Sequence, residues 1–143
     1  MMKSMTHKEA LEFIMQGTRT GKLASVRPDG RPHVVPIWFI LDGENLIFNT
    51  WHESVKVKNL QHYPRVAISV DEEAAPYAFV LIEGQATLDE GTAESRLLVA
   101  TRIGERYMGA ERAEEFGIRN SVAGELIVRI HIQKILGKKN VSG

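Results

Sequence analysis

The stretch from Asn49 to Val70 reads NTWHESVKVKNLQHYPRVAISV and joins two apolar strands through one short helix. Ser54 is a favourable N-cap for this helix, which carries Lys56 and Lys58 in its first turns. Pro64 ends the helix, because proline disfavours helical geometry in the residue before it. A helix N-terminus offers unpaired N–H groups and the positive end of the helix dipole. The stretch therefore predicts an anion site, where a phosphorylated ligand would place its phosphate.

Strand-like segments flank this stretch on both sides and are separated by short turns such as Asp42-Gly43. Pro36 lies inside the second segment and cannot donate to a strand ladder, which predicts an edge or a bulge there. Gly84 inside the fifth segment predicts a bulge or a close backbone approach. Consecutive antiparallel strands with short turns favour a closed barrel. The six segments are Gly21–Val26, Pro32–Leu41, Asn45–Thr50, Arg65–Asp71, Ala78–Leu88 and Glu125–Ile135.

Helices are predicted at two further places. Thr6 and Glu9 form a capping box ahead of an amphipathic segment. Thr92 is a good N-cap for a helical insert that Gly109 interrupts and that precedes the last strand. The last residues, Lys138–Gly143, are expected to form a frayed tail.

Composition narrows the function classes. A length of 143 residues predicts one domain, 1–143, and the 18 basic residues balance the 18 acidic ones. Zero net charge argues against a nucleic-acid binder. The chain has no cysteine, and the spacing of its five histidines matches no zinc motif, so we expect no metal site. No apolar run is long enough to span a membrane, and the N-terminus is too polar for a signal peptide. We therefore expect a cytoplasmic protein.

Residues near the predicted anion site could hold a planar ligand. Asn49, Thr50 and Trp51 end one strand, and Pro36, Ile37 and Trp38 lie on the strand before it in the chain. Each feature also has an ordinary interpretation, since lysines and strand ends are usually exposed without a ligand. The sequence contains no recognisable nucleophile or acid–base set. That pattern favours a cofactor that brings its own reactive atom and needs only placement from the protein.

Three segments together resemble the flavin- and deazaflavin-dependent split-barrel oxidoreductases, the superfamily of pyridoxamine 5′-phosphate oxidase. The segment Ala75–Phe79 resembles the subset that depends on coenzyme F-420, a deazaflavin with a phosphate. The three segments read TGKLASVRPDGRPHVVPIWFILDGENLIFNT (Thr20 to Thr50), SVKVKNLQHYPRVAISVD (Ser54 to Asp71) and PYAFVLIEGQATL (Pro76 to Leu88).

The resemblance implies a mainly β fold, a six-stranded antiparallel split β-barrel with short flanking helices. It implies a homodimer with a flavin-type cofactor at the subunit interface, with Tyr77 and the helical insert supplied by the partner chain. It further implies that Ser54, Lys56 and Lys58 hold the cofactor phosphate. The ring would lie against the remaining expected residues, Pro36, Ile37, Trp38, Asn49, Thr50 and Trp51.

The chain departs from the oxidase pattern at two places. Val55 stands where the oxidases have an arginine before the lysine of the phosphate loop, and the C-terminal signature for the substrate phosphate is not visible. Both departures argue against pyridoxamine phosphate as the substrate. The first functional hypothesis is hydride transfer from reduced F-420 to a small conjugated or heteroaromatic substrate. The alternatives are an FMN-dependent oxidoreductase of the same superfamily and a non-enzymatic flavin or tetrapyrrole binding protein.

Overall fold

A computed structural model describes residues 1–143. One antiparallel sheet of eight strands is flanked by four α-helices and a short 3-10 helix (Ala110–Arg112). None of the helices combines the length and the hydropathy of a membrane-crossing segment. The strands are β1 (Lys3–Ser4), β2 (Gly21–Val26), β3 (Pro32–Ile37), β4 (Ile40–Asp42), β5 (Asn45–Trp51), β6 (Arg65–Glu72), β7 (Ala78–Asp89) and β8 (Glu125–Lys139). The helices are α1 (His7–Met15), α2 (Val55–His62), α3 (Ala93–Met108) and α4 (Ala113–Arg119).

The sheet curls into a barrel that is split between β3 and β4. Its strand order is β3-β2-β6-β7-β8-β5-β4, and β1 pairs with the end of β8. Only Trp38 and Phe39 join β3 to β4, although these strands are the two ends of the sheet. Three peptide steps span at most about 11 Å, so the two ends lie side by side. The predicted split-barrel fold is therefore confirmed.

The strand count differs from the prediction, with eight strands instead of six. One predicted strand, Pro32–Leu41, is two strands, because its first half pairs with β2 and its second half pairs with β5. The chain changes from one edge of the sheet to the other at Trp38 and Phe39. Pro36 lies in an edge strand, as predicted, because β3 pairs with β2 alone. The other added strand is the two-residue β1.

The barrel interior holds the main core of 17 buried residues. On β8 the inward side chains alternate until the ladder with β7 shifts register between Glu83 and Gly84. Gln133 is the extra residue of this bulge, so the inward positions change from Ile132 to Ile135 across it. A Cβ at Gly84 would lie 2.7 Å from the carbonyl oxygen of His131. Both the bulge and the close approach predicted at Gly84 are thus confirmed.

Helix α3 packs on the outside of the barrel through a smaller core. Ile40 and Ile47 of the barrel meet Ile103 of α3 and Ile127 of β8, and all four are buried. Thr92 caps α3 as predicted, since its side chain accepts a hydrogen bond from the N–H of Ser95. The helical insert is therefore attached to one outer face of β4, β5 and β8.

The prediction of a frayed C-terminal tail is wrong. Lys138 and Lys139 are part of β8 and pair with β1. Beyond them, the Val141 N–H donates to the carbonyl of Tyr77 and the Ser142 N–H donates to that of Pro76, both at 3.0 Å. The tail is held because these backbone groups find partners in the loop before β7, which local sequence does not reveal.

Candidate functional site

A cavity of about 360 Å³ lies next to the split of the barrel, a volume typical of small-molecule sites. Two walls enclose it. The barrel wall comes from the ends of β3 and β5 and the start of α2, and the helical wall comes from α3, α4 and the residue after α4. The barrel wall consists of Pro36, Ile37, Trp38, Asn49 and Lys56. The helical wall consists of Ala100, Ile103, Gly104, Phe116, Arg119 and Asn120.

The N-terminus of α2 is built as the sequence predicts. Ser54 is the N-cap, and its hydroxyl accepts hydrogen bonds from the Val57 N–H at 3.4 Å and from the Thr50 hydroxyl at 3.2 Å. The other N–H groups of the first turn have no carbonyl partner within the helix. Lys56, the second residue of α2, lies on the cavity side. A positive helix end and an ammonium group thus meet at one end of the cavity.

Lys56 is a partly desolvated cation without an ion-pair partner. Burial lowers the pKa of its ammonium group, and the negative charge of Glu125 opposes this shift. Glu125 lines a neighbouring cavity of about 340 Å³, together with His52 and Arg96. Burial also raises the pKa of the Glu125 carboxyl, against the attraction of Lys56 and His52. No carboxylate lies within 4.0 Å of the Lys56 ammonium group, so an anionic ligand would supply the missing partner.

Trp38 forms the flat part of the barrel wall. Its indole stacks on the ring of Tyr107, with 4.8 Å between centroids and 8° between planes, and Phe116 lies 6.1 Å away in a tilted arrangement. The Asn49 side-chain amide donates to the carbonyl of Asn120 at 3.1 Å. This bond ties the barrel wall directly to the helical wall.

The helical wall depends on close packing of α3 against α4. A Cβ at Gly104 would lie 2.8 Å from the Cβ of Phe116, and one at Gly117 would clash with the side chain of Thr101. Arg119 ends α4 with its guanidinium 4.5 Å from the centroid of the Phe116 ring. Arg119 is therefore a second cation of the cavity, contributed by the opposite wall.

Five of the ten sequence-predicted residues line this cavity, and they are the five of the barrel wall. Thr50 and Ser54 lie behind it, where their hydroxyls bond to each other. Trp51 packs elsewhere: its ring lies 4.6 Å from that of His52, and a Cβ at Gly124 would come within 2.6 Å of it. These three residues support the local backbone of the site.

Lys58 and Tyr77 line other depressions of the surface. Lys58 lies with Arg27, Asp29 and Arg31, on a different side of α2 from Lys56. Tyr77, the residue just before β7 begins, lies next to Ser69, Asp71 and Phe79. Neither residue lines the cavity described above. Their predicted roles in cofactor binding stay predictions, and that of Tyr77 depends on a partner chain.

The sequence did not predict the helical wall of the same chain, because the family resemblance implied only that the partner chain supplies the helical insert. The periodic apolar residues of α3 indicate a helix but not the surface on which it lies. Glycines inside both helices, Gly104 and Gly117, were the available signal, since glycine within a helix often marks a close packing contact. No group of three or more His, Cys, Asp or Glu side chains is arranged to hold a metal ion.

The fold and the cavity place the chain among the split-barrel proteins. A family model described as pyridoxamine 5′-phosphate oxidase matches residues 6–138. The chain therefore belongs to the pyridoxamine 5′-phosphate oxidase family, whose superfamily includes proteins that bind flavin-type cofactors. No sequence among the curated proteins matches it.

Solved structures with the same fold cover most of the chain. A conserved hypothetical protein from Mycobacterium tuberculosis is 27% identical, with a TM-score of 0.78, covering 92% of this chain and 82% of that one. An F420 reductase is 27% identical, with a TM-score of 0.69, covering 87% of this chain and 94% of that one. The heme storage protein HutZ from Vibrio cholerae shares the fold at 22% identity, with a TM-score of 0.70, covering 92% and 94%.

Proposed function

We propose that the protein is an oxidoreductase that binds the deazaflavin coenzyme F-420 in the cavity between its barrel wall and its helical wall. The reaction would be hydride transfer between the reduced cofactor and a small conjugated or heteroaromatic substrate. The observation that carries the proposal is the combination of a partly desolvated, unpaired Lys56 at the start of α2 with the flat indole of Trp38 in one cavity.

The residues present fit a phosphate at one end of the cavity. Lys56 offers an ammonium group that lacks a carboxylate partner, and the first turn of α2 offers N–H groups. Ser54 keeps that turn in place through its bond to Val57. Charge-assisted hydrogen bonds of this kind are stronger than those between neutral groups.

The residues also fit a planar ring at the other end. Trp38 presents a flat apolar surface, and this residue is 40% exposed. Strand β3 pairs with β2 on one side only, so half of the backbone N–H and C=O groups near Ile37 face an open edge. These groups and the side chain of Asn49 can bond to the polar atoms of a heteroaromatic ring.

When bound, the deazaflavin supplies the hydride that is transferred. The chain supplies binding, orientation and electrostatics, which is the usual division of work between a redox cofactor and its protein. The cation Lys56 and the positive end of α2 would hold the anionic end of the cofactor. Trp38 and the apolar residues Ala100 and Ile103 would exclude water from the ring.

The choice of F-420 as cofactor is supported by two facts. Residues Ala75–Phe79 resemble the F-420-dependent subset of the superfamily, and an F420 reductase is 27% identical to the chain over most of its length. FMN also carries a single phosphate and would fit the same anchor at Lys56. FMN dependence is therefore the second candidate, and the two cofactors must be separated by measurement.

A direct test is to titrate the purified protein with F-420 and with FMN side by side, following ligand fluorescence. The proposal expects saturable binding of F-420 with a Kd about tenfold or more below that for FMN. It also expects a colourless protein when the chain is produced in an ordinary host that makes no F-420. A yellow protein that retains FMN would establish the second candidate instead. Heme binding without binding of either flavin would indicate a non-enzymatic tetrapyrrole protein and reject the oxidoreductase proposal.

The proposed assembly is a homodimer with the cofactor at the subunit interface and Tyr77 contributed across it. Size-exclusion chromatography with light scattering measures the assembly, and Tyr77→Ala tests the contribution. If the dimer forms and Tyr77→Ala leaves F-420 affinity unchanged, Tyr77 has no part in the site.

A further inference from the structure

Trp38 lies in the two-residue segment that crosses the split of the barrel. No strand pairing holds its backbone there, because β3 ends at Ile37 and β4 begins at Ile40. Its indole is nevertheless fixed on one face, since Tyr107 of α3 stacks on it at 4.8 Å with the two planes only 8° apart. The orientation of this wall of the cavity therefore depends on a side chain 69 residues further along the chain.

Tyr107 is itself anchored at its hydroxyl. The hydroxyl donates to the carbonyl of Arg19 at 2.8 Å and accepts from the N–H of Phe39 at 3.2 Å. The second bond reaches the residue directly after Trp38. Tyr107 thus holds the crossing segment twice, by its ring against the indole and by its hydroxyl against the neighbouring backbone.

Arg106, the residue before Tyr107, secures the end of α3 to the same region. Its guanidinium donates to the carbonyls of Phe39 at 2.6 Å, Ile14 at 2.8 Å and Gly17 at 3.1 Å. No carboxylate lies within 4.0 Å of it, so carbonyl oxygens satisfy this half-buried cation. The end of α3 is therefore bound to the end of α1 and to the segment that crosses the split.

We propose that Tyr107 is a positioning residue, which holds the Trp38 indole as the preformed flat wall against which a planar ring binds. A wall fixed before binding lowers the entropy cost of ordering it on binding. Without the stack, the indole could rotate about two side-chain torsions and part of the affinity for the ring would be lost. The role in ligand binding rests on the proposed function. The first of the two tests below uses no ligand and is independent of that function.

The first test measures the tryptophan itself, with no ligand. The chain has two tryptophans, so Trp51→Phe leaves Trp38 as the only source of tryptophan fluorescence. In this background, Tyr107→Leu is expected to raise the acrylamide quenching constant of Trp38 about twofold, because the covered face of the indole opens to solvent. Tyr107→Phe keeps the ring and removes both hydroxyl bonds, so a smaller rise is expected. Val80→Ala, which opens a cavity in the barrel core without changing Tyr107, controls for lowered stability and should leave quenching unchanged.

The second test measures the ring site in the native Trp51 background. Riboflavin is the probe, because it carries a flat tricyclic ring of the flavin type without the phosphate that Lys56 would bind. Tyr107→Leu is expected to weaken riboflavin binding about three- to tenfold, the range of one aromatic contact. Val80→Ala should bind riboflavin as the unaltered chain does, and Tyr107→Phe, which keeps the core packed, should weaken binding about twofold.

The outcomes separate the two proposals. Increased quenching together with weaker riboflavin binding supports the positioning role. Unchanged quenching in both Tyr107 variants overturns it, and so does increased quenching with unchanged riboflavin affinity. If the unaltered chain binds neither riboflavin nor F-420 nor FMN, the proposed function fails, and the quenching result alone decides whether Tyr107 fixes Trp38.

Discussion

The barrel wall and the helical wall of the cavity are held in place by different forces. Backbone hydrogen bonds of strand ladders fix most of the barrel wall, since Pro36 and Ile37 pair with β2 and Asn49 pairs with Ile127 of β8. Trp38, in the segment that crosses the split, is the exception. Side-chain packing fixes the helical wall, through the contact of Gly104 with Phe116 and the small isoleucine core around Ile103. In a strand, side chains alternate between the two faces of the sheet, and this period of two is visible in the sequence. In a packed helix, the position of a side chain depends on the shapes of side chains from distant segments. We therefore expect changes in the barrel core to destabilise the whole fold. Changes in the helical wall should loosen α3 and α4 without unfolding the barrel.

The largest expected effect comes from emptying the core behind the barrel wall. Phe48 precedes Asn49 on β5, points into the barrel and is 1% exposed. Phe48→Ala should lower the free energy of unfolding by about 3–5 kcal/mol, because a large cavity replaces the ring. Denaturant unfolding measures the loss. Val34→Ala on the exposed face of β3 is the control and should change stability by less than about 0.5 kcal/mol. A Phe48→Ala loss no larger than that of a helical-wall variant would contradict the comparison.

Cofactor binding should depend most strongly on the charge of the barrel wall. Lys56→Ala is expected to weaken binding of F-420 or FMN by about 1.5–3 kcal/mol, the range for a charged hydrogen-bond partner. Stability should not fall, because the removed ammonium group is partly desolvated and has no ion-pair partner. Fluorescence titration gives the affinity and thermal unfolding gives the stability.

Lys58→Ala is the matched variant for Lys56→Ala. It removes the same charge from the same helix, two residues away, in a different depression of the surface. Its effect on affinity should stay below about threefold, as for a screened surface charge. Equal losses of affinity in the two variants would mean that both lysines hold the phosphate, as the family resemblance implies. The cavity seen in the single chain would then not define the phosphate site.

The helical wall is tested by crowding its closest contact. Gly117→Ala puts a methyl group against the side chain of Thr101 between α4 and α3. Overpacking should lower the free energy of unfolding by about 1–3 kcal/mol. The higher helix propensity of alanine should offset about 1 kcal/mol of this loss. Hydrogen exchange should show faster exchange confined to α3 and α4. Faster exchange throughout the barrel would mean that the two walls are not separable.

The difference between the walls also explains what the sequence could predict. The cap at Ser54, the turn at Asp42-Gly43 and the bulge at Gly84 are local signals, and all three appear in the structure. Lys56 and Lys58 were predicted together because both follow one cap. Their spacing of two residues already places them on different helix faces, which is where the structure has them.

Long-range pairing accounts for what the sequence could not predict. The segment from Pro32 to Leu41 is apolar throughout except for His33, so nothing local marks the change of partner strand at Trp38. Arg119 and Tyr107 belong to helices whose period was visible, but the surface that each helix covers depends on the fold of the barrel. The partner of Trp38 could therefore be known only once α3 was placed on the barrel.

The smallest expected effect concerns Glu125, which faces Lys56 from the first residue of β8. Burial raises the pKa of its carboxyl, against opposing attraction from Lys56 and His52. Its favourable contribution to folding is thus fully present below the unfolded pKa and is lost as pH rises through the folded pKa. Glu125→Gln should therefore stabilise the protein near neutral pH by about a few tenths of a kcal/mol, a value reduced for solvent screening. The gain should vanish at about pH 4 and below, where the carboxyl is protonated in both states.

The same change tests whether Glu125 competes with a ligand for Lys56. Removing the negative charge should strengthen phosphate binding at Lys56 by about twofold, since the two groups are coupled but lie more than 4.0 Å apart. Glu90→Gln, in the same neighbouring cavity, is the control for a general change in surface charge. Denaturation midpoints at the two pH values and FMN titration measure both effects. Loss of stability at neutral pH in Glu125→Gln would mean that the attraction between Glu125 and Lys56 outweighs the cost of burying the Glu125 carboxylate. Glu125 would then be the counter-ion of Lys56, and Lys56 would not be a free cation.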